Sequence, residues 1–119
     1  MKMLIVDDSL IIRKTIERFL GSTYSDVEIV GEASNGIMAL EIFQATKPEL
    51  VTMDITMPEM DGLTCIEAML KIDPTVKILV VSALSAKETV IEAIKKGAKG
   101  YVLKPFTEDK LKAALEEII

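Results

Sequence analysis

Short apolar runs alternate along this chain with longer stretches in which apolar residues recur at helical spacing. The runs are rich in Val, Ile and Leu and almost continuously apolar, which is typical of parallel strands covered on both faces. Between the first two runs, Ile12, Ile16 and Leu20 recur every four residues and predict one buried stripe on a helix. The runs predict strands at residues 3–6, 27–30, 50–53, 78–81 and 100–103.

Capping signals predict where the last two helices begin and end. Ser85 with Glu88 has the spacing of a capping box, and Gly97 is expected to close the same helix. Thr107, which two acidic residues follow, predicts the start of the last helix. Strand and helix therefore alternate five times, which predicts one α/β domain over residues 1–119 with a parallel sheet and helices on both faces.

Composition excludes several classes of function. The net charge of -5 argues against direct nucleic-acid binding, which needs a clustered basic face. No apolar run approaches the ~18 residues that span a bilayer, and the N-terminus has no signal-peptide pattern, so we expect a cytoplasmic protein. The single cysteine, Cys65, is expected to be an inert packing residue. Because the chain has no histidine, Ser-His catalysis, histidine metal ligands and autophosphorylation on histidine are excluded.

Polar side chains follow four of the predicted strands. Asp7 and Asp8 follow the first strand, Asp54 the third, Ser82 the fourth and Lys104 the fifth. Each has a local alternative, since aspartate and serine serve as caps and turn formers and lysine as a solvated side chain. The carboxyl ends of parallel strands meet at one edge of a sheet, where ligands bind. The coincidence of all five residues at that edge therefore favours a functional site.

Three clustered carboxylates limit the chemistry of such a site. Like charges within a few ångström repel, so either a carboxyl group stays protonated or a cation neutralises the cluster. Ligation by oxygen alone suits Mg²⁺, whereas the ligand spacing of an EF-hand calcium loop is missing. A cation, a carboxylate nucleophile and a lysine together predict phosphoryl transfer.

A set of residues at or beside the strand ends carries a family resemblance. The set comprises Asp7-Asp8, the sequence MDITMPEMDG around Asp54, Ser82-Ala83, Tyr101 and Lys104-Pro105-Phe106. It resembles the receiver domain of bacterial two-component response regulators, in particular the single-domain chemotaxis type, and the likeness spans essentially the whole chain. The resemblance implies a flavodoxin-like (βα)5 three-layer sandwich with strand order 2-1-3-4-5.

The resemblance also implies how the acidic residues act. Asp54 would accept the phosphoryl group, and the carboxylates of Asp8 and Asp54 would ligate Mg²⁺ directly. Asp7 would act mainly through metal-bound water. The backbone carbonyl of Thr56 would supply a further ligand.

The remaining motif residues would respond to the phosphoryl group. The resemblance implies that Lys104 pairs with Asp54 and then with a phosphoryl oxygen, and that Pro105 follows a cis peptide bond. Ser82 would donate its hydroxyl to the phosphoryl group, and Tyr101 would move from an outward to an inward rotamer.

Three further residues would control access to the phosphoryl group. The small side chain of Ala83 would leave room for phosphoryl entry, while Thr56 and Leu84 would flank the route of an attacking water. Because Leu84 is apolar and cannot orient that water, we expect slow self-dephosphorylation.

The sequence therefore predicts a phosphorylation-activated switch that is not a conventional enzyme. An external histidine kinase would supply the phosphoryl group, since the chain has no histidine and no P-loop to hold ATP. A downstream protein would bind the face formed by the fourth helix, the fifth strand and the fifth helix, although the lysines there also suit a solvated surface. We expect a monomer that acts in chemotaxis or a related phosphorelay.

Alternatives of other classes remain open. A haloacid-dehalogenase-type phosphohydrolase also uses a strand-end aspartate, but its D-x-D-x-T signature lacks the second aspartate here, where Thr56 stands. A binding module of the same fold that is never phosphorylated would not need the complete acidic set. A receiver fragment of a longer transcriptional regulator would look the same in sequence.

Overall fold

Strands and helices alternate strictly in the computed structural model, which describes residues 1–21 and 26–119. The strands are β1 (Lys2–Val6), β2 (Glu28–Ala33), β3 (Leu50–Met53), β4 (Lys77–Ser82) and β5 (Gly100–Leu103). The helices are α1 (Leu10–Gly21), α2 (Gly36–Thr46), α3 (Gly62–Ile72), α4 (Lys87–Lys96) and α5 (Glu108–Ile118).

The strands form one parallel sheet in the order β2-β1-β3-β4-β5. This is the order that the family resemblance implies, so that prediction is confirmed. The chain runs from β1 outwards to β2 and then crosses back to β3, so the direction of strand addition reverses between β1 and β3. The carboxyl ends of these two central strands flank the crevice where ligands of open α/β sheets bind.

Two hydrophobic clusters cover the two faces of the sheet. Alternate residues of each central strand point to opposite faces, so Leu4 joins one cluster and Ile5 the other. The cluster that contains Leu4 lies between the sheet and helices α2, α3 and α4 and is called the α2–α4 cluster; it also contains Phe43 and Cys65. The cluster that contains Ile5 lies between the sheet and the two helices α1 and α5, and it also contains Leu111. Burial, with a smaller contribution from the charge of Asp61, raises the pKa of the Cys65 thiol to about 12, as suits a packing residue.

The β2 strand extends further than the sequence predicts. The predicted strand stops at residue 30, whereas β2 continues to Ala33, which lies opposite Val6. Gly31 and Glu32 break the apolar run, but β2 is an edge strand and needs no continuous apolar face to pair with β1. The other four observed strands match their predicted ranges to within one residue at each end.

One of the predicted helix caps is wrong. The N-cap of α4 is Ala86, which makes no side-chain capping bond, so Ser85 and Glu88 form no capping box. By contrast, the Thr107 side chain accepts from the N–H of the third residue of α5, and Gly97 ends α4 in the left-handed conformation, as predicted. Over the ranges that the structure describes, every helix is too short or too polar to cross a bilayer.

Candidate functional site

The strand ends position the candidate site residues through backbone hydrogen bonds. The N–H groups of Asp7, Asp54 and Lys104 donate to the carbonyls of the last residues of β2, β1 and β4, at 3.0, 3.0 and 2.9 Å. Each of these residues therefore continues the hydrogen-bond ladder by one position while its side chain already lies beyond the sheet. This arrangement brings the three side chains together, as the sequence predicts.

The Lys104 ammonium lies between two carboxylates, one of which is Asp54, with which the resemblance implies that it pairs. Its Nζ is 2.7 Å from Asp7 Oδ2 and 3.4 Å from Asp54 Oδ2, so the closer pair is with Asp7 rather than Asp54. The other Asp7 oxygen, Oδ1, accepts from the Ser9 N–H at 2.9 Å. That bond orients the carboxylate so that Oδ2 faces Lys104. The Lys104–Pro105 peptide bond is cis, as predicted.

Asp54 is a buried carboxyl group with an unusually high pKa. The residue is only 4% exposed. Burial is the main cause that raises its pKa to about 6, the charge of Asp7 adds to the shift, and Lys104 opposes it. Burial alone would lower the pKa of Lys104, yet its bonds and charge interactions with Asp7 and Asp54 raise that pKa above the ordinary value. One lysine thus only partly balances the acidic cluster.

The acidic cluster fits a hard divalent cation. Asp7, Asp8 and Asp54 each offer one carboxylate oxygen, and these oxygens lie within 4.8 Å of one another. Asp7 and Asp54 are buried while Asp8 is exposed, so an ion would have an open approach from the Asp8 side. Thr56, whose carbonyl is a predicted ligand, lies exposed two residues after Asp54. Oxygen donors with net negative charge match the preferences of Mg²⁺.

Gly62 lets helix α3 start directly against the backbone that carries Asp54. A Cβ atom at Gly62 would come within 2.1 Å of the Asp54 carbonyl oxygen, so a larger residue would displace the loop. The Gly62 N–H donates to the Ile55 carbonyl at 2.8 Å and ties the helix start to the same loop. The close approach of α3 to this loop therefore explains why the last position of MDITMPEMDG is a glycine.

The loop after β4 is held from two sides at Leu84. The Ser82 hydroxyl accepts from the Leu84 N–H at 3.1 Å, and the Tyr101 hydroxyl donates to the Leu84 carbonyl at 2.6 Å. Ser82 is buried, whereas Ala83 and Leu84 are exposed beside it. The Tyr101 ring packs against the α2–α4 cluster. These contacts hold the loop that precedes α4 at Leu84.

Sequence reasoning missed one group that contacts the site. Arg13 of α1 donates from Nη1 to the Asp7 carbonyl at 2.7 Å, and from Nε to Glu32 Oε1 of β2 at 3.1 Å. A sequence signal was available, because a cation in the first turn of a helix opposes the helix dipole and needs a local partner.

Comparisons with known proteins agree with this geometry. The family model described as "Response regulator receiver domain" matches residues 3–116. The chain is 44% identical to the chemotaxis protein CheY of Listeria monocytogenes, over 98% of this chain and 97% of the relative. It is also 44% identical to CheY of Thermotoga maritima, over 98% of this chain and 96% of the relative.

A solved structure has the same fold. The structure of a CheX-CheY-BeF3-Mg complex from Borrelia burgdorferi contains a chain that superposes with a TM-score of 0.91 at 31% identity, over 96% of this chain and 85% of that chain. These likenesses do not favour the haloacid-dehalogenase alternative. The chain belongs to the family of response regulator receiver domains.

Proposed function

We propose that this chain is a phosphorylation-activated signalling switch that accepts a phosphoryl group on Asp54. The observation that carries the proposal is the buried cluster in which Lys104 Nζ lies 2.7 Å from Asp7 and 3.4 Å from Asp54. A carboxylate held at a strand end beside a lysine and two further carboxylates has the parts that phosphoryl transfer needs.

The chain's residues would divide the chemistry between them. The ionised Asp54 carboxylate attacks phosphorus, the bond from phosphorus to the histidine nitrogen of the donor kinase breaks, and the nitrogen keeps the electron pair. Lys104 then neutralises charge on the phosphoryl oxygens. Asp7, Asp8, Asp54 and the Thr56 carbonyl would hold Mg²⁺, which supplies positive charge against the equatorial oxygens.

The Leu84 contacts suggest how phosphorylation is sensed. The Ser82 oxygen accepts a bond from the Leu84 N–H, so the hydroxyl proton remains available to a phosphoryl oxygen. A bond to the phosphoryl group would draw the loop towards Asp54, and the Tyr101 hydroxyl already holds that loop in the packed arrangement. We infer that phosphorylation favours an inward position of Tyr101, supported by this bond, over an outward one.

Membership of the receiver-domain family supports two kinds of partner for this chain. A histidine kinase would donate the phosphoryl group, and a downstream protein would read the face formed by α4, β5 and α5. CheY of Listeria monocytogenes and Thermotoga maritima are named as chemotaxis proteins, which supports a chemotaxis role for this chain. The Borrelia complex supports a target of the CheX kind. We propose a monomeric, cytoplasmic switch that assists its own phosphorylation and, with Leu84 beside the site, loses the group slowly.

Intact-mass measurement tests the proposal. Wild-type protein incubated with acetyl phosphate and Mg²⁺ should gain the mass of one phosphoryl group, and Asp54→Asn should gain none. Asp109→Asn is the matched control, because Asp109 is an exposed aspartate in the first turn of α5, and this variant should be phosphorylated like the wild type. No mass gain in the wild type, or an equal gain in Asp54→Asn, contradicts the proposal. Release of many equivalents of phosphate from a small phosphomonoester would instead support the hydrolase.

A further inference from the structure

Arg13 connects the acidic site to the edge strand of the sheet. Its guanidinium donates to the Asp7 carbonyl at 2.7 Å and to Glu32 Oε1 at 3.1 Å. The Arg13 and Glu32 side chains are largely buried, with 15% and 24% of their surfaces exposed. Lys14 holds the other Glu32 oxygen at 2.9 Å. Glu32 is therefore fixed between two cations, and Arg13 is fixed between Glu32 and the site.

The Asp7 carbonyl, which Arg13 binds, lies just beyond the end of strand β1. Asp7 follows the last residue of β1, so its carbonyl is past the end of the sheet ladder, while the residue is only 1% exposed. A buried carbonyl needs a donor, and Arg13 supplies it. Because the peptide group is planar, the same bond also fixes the N–H side of Asp8. One contact therefore orients the backbone of two predicted cation ligands.

We propose that Arg13 is a positioning residue for the cation site, which sets the Mg²⁺ affinity by holding the peptide between Asp7 and Asp8 against Glu32. The proposal rests on the proposed function, in which these carboxylates bind Mg²⁺. Arginine suits the role because its planar guanidinium donates in two fixed directions, whereas the lysine ammonium is a single point on a flexible stem.

Charge and position predict opposite effects for Arg13, and this makes the proposal testable. The positive charge beside the site repels a cation, so a role through charge alone predicts tighter Mg²⁺ binding when the charge is removed. A positioning role predicts weaker binding, because the two carboxylates lose their relative orientation. Supporting residues of metal ligands typically change metal affinity by about 10–100-fold when they are lost.

Calorimetric titration of the metal-free protein with Mg²⁺ distinguishes these roles. We expect Arg13→Gln to weaken Mg²⁺ binding about tenfold, and Arg13→Lys to weaken it by a smaller factor although it keeps the charge. Lys14→Gln is the matched control, since Lys14 lies on the same helix, carries the same charge and binds the same Glu32 without the contact to Asp7. This control should bind Mg²⁺ at least as tightly as the wild type.

A second measurement needs no metal. The Ser9 N–H donates to Asp7 Oδ1, so its hydrogen exchange in metal-free protein reports the orientation of Asp7. Exchange at Ser9 should accelerate in Arg13→Gln more than exchange at Leu4, which is fully buried in the central strand β1 and serves as the reference for overall unfolding.

The outcomes separate the proposal from its premise. Wild-type protein that does not bind Mg²⁺ contradicts the proposed function itself. Wild-type binding combined with tighter binding by Arg13→Gln and unchanged binding by Arg13→Lys overturns the positioning role in favour of charge. Unchanged affinity in both variants with a lower melting temperature overturns it in favour of a purely structural contact.

Discussion

The interior of the sheet and its carboxyl edge differ in what burial does to their side chains, and the change occurs from one residue of the chain to the next. Met53 is fully buried in the α2–α4 cluster, and Asp54, the next residue, is 4% exposed. Removal from water stabilises the apolar side chain but raises the free energy of the ionised carboxylate. Burial is therefore favourable for the Met53 side chain and unfavourable for the ionised Asp54 carboxylate, although the two residues are adjacent in the chain.

The two regions also differ in the partners that surround their buried side chains. In the interior, packing partners on both faces surround each strand. At the edge, one lysine faces two buried carboxylates, and the pKa of Asp54 stays raised to about 6. The difference indicates that the hydrophobic clusters provide the stability of the fold, while the edge keeps an electrostatic imbalance that a cation or a phosphoryl group can change.

Truncation of the core should have the largest effect on stability. Phe43, 2% exposed, is a large buried side chain of the α2–α4 cluster. Phe43→Ala should lower the free energy of unfolding by about 3–5 kcal/mol in urea denaturation. Ile37→Ala, on the exposed side of the same helix, is the control and should change it much less. Loss of phosphoryl uptake by the folded fraction of Phe43→Ala would show that core and edge are not separable.

Local patterns in the sequence predict four of the five strands to within one residue at each end, and Asp7, Asp54 and Lys104 each directly follow an apolar run. The edge on which Asp7, Asp54 and Lys104 meet follows from parallel strands alone. The strand order came from the family resemblance, since periodicity carries no information on which strands are neighbours.

Two features that the sequence did not predict depend on contacts between residues far apart in the chain. The contact of Lys104 with Asp7 joins the ends of β5 and β1. The extension of β2 to Ala33 depends on its pairing with β1. The capping-box pattern of Ser85 with Glu88 places the start of α4 one residue too early, since the N-cap is Ala86 rather than Ser85.

Neutralising Asp54 should stabilise the metal-free protein. Burial and Asp7 raise the pKa of Asp54 from 3.8 to about 6, so the folded state binds this proton more tightly than the unfolded chain. The favourable contribution of the protonated group is complete below pH 3.8 and is lost as the pH rises through about 6. The free energy of unfolding of Asp54→Asn should therefore be about 2 kcal/mol higher than that of the wild type near neutral pH.

The pH dependence is the internal control for that prediction. The gain from Asp54→Asn should shrink towards about pH 4, where the wild-type carboxyl group of the folded state, with a pKa of about 6, is already protonated. Asp8→Asn, which changes an exposed carboxylate of the same cluster, should give a smaller gain. A gain of equal size at both pH values would mean that the effect comes from packing and not from charge.

Coupling between edge residues should be the smallest measurable effect. Ser82→Ala removes the acceptor of the Leu84 N–H, and Tyr101→Phe removes the donor to the Leu84 carbonyl, each at a cost of about 1 kcal/mol. Because both bonds hold the same residue, losing one loosens the loop and makes the other worth less. The double variant should be more stable than the sum of the single effects predicts, by about 0.5–1 kcal/mol. Thr46→Val, which removes a hydroxyl bond to Ile42 at the far end of α2, should add to Ser82→Ala without coupling. Additive effects in the Ser82 and Tyr101 pair would mean that the loop is held rigidly by other contacts, and that the edge behaves like the interior.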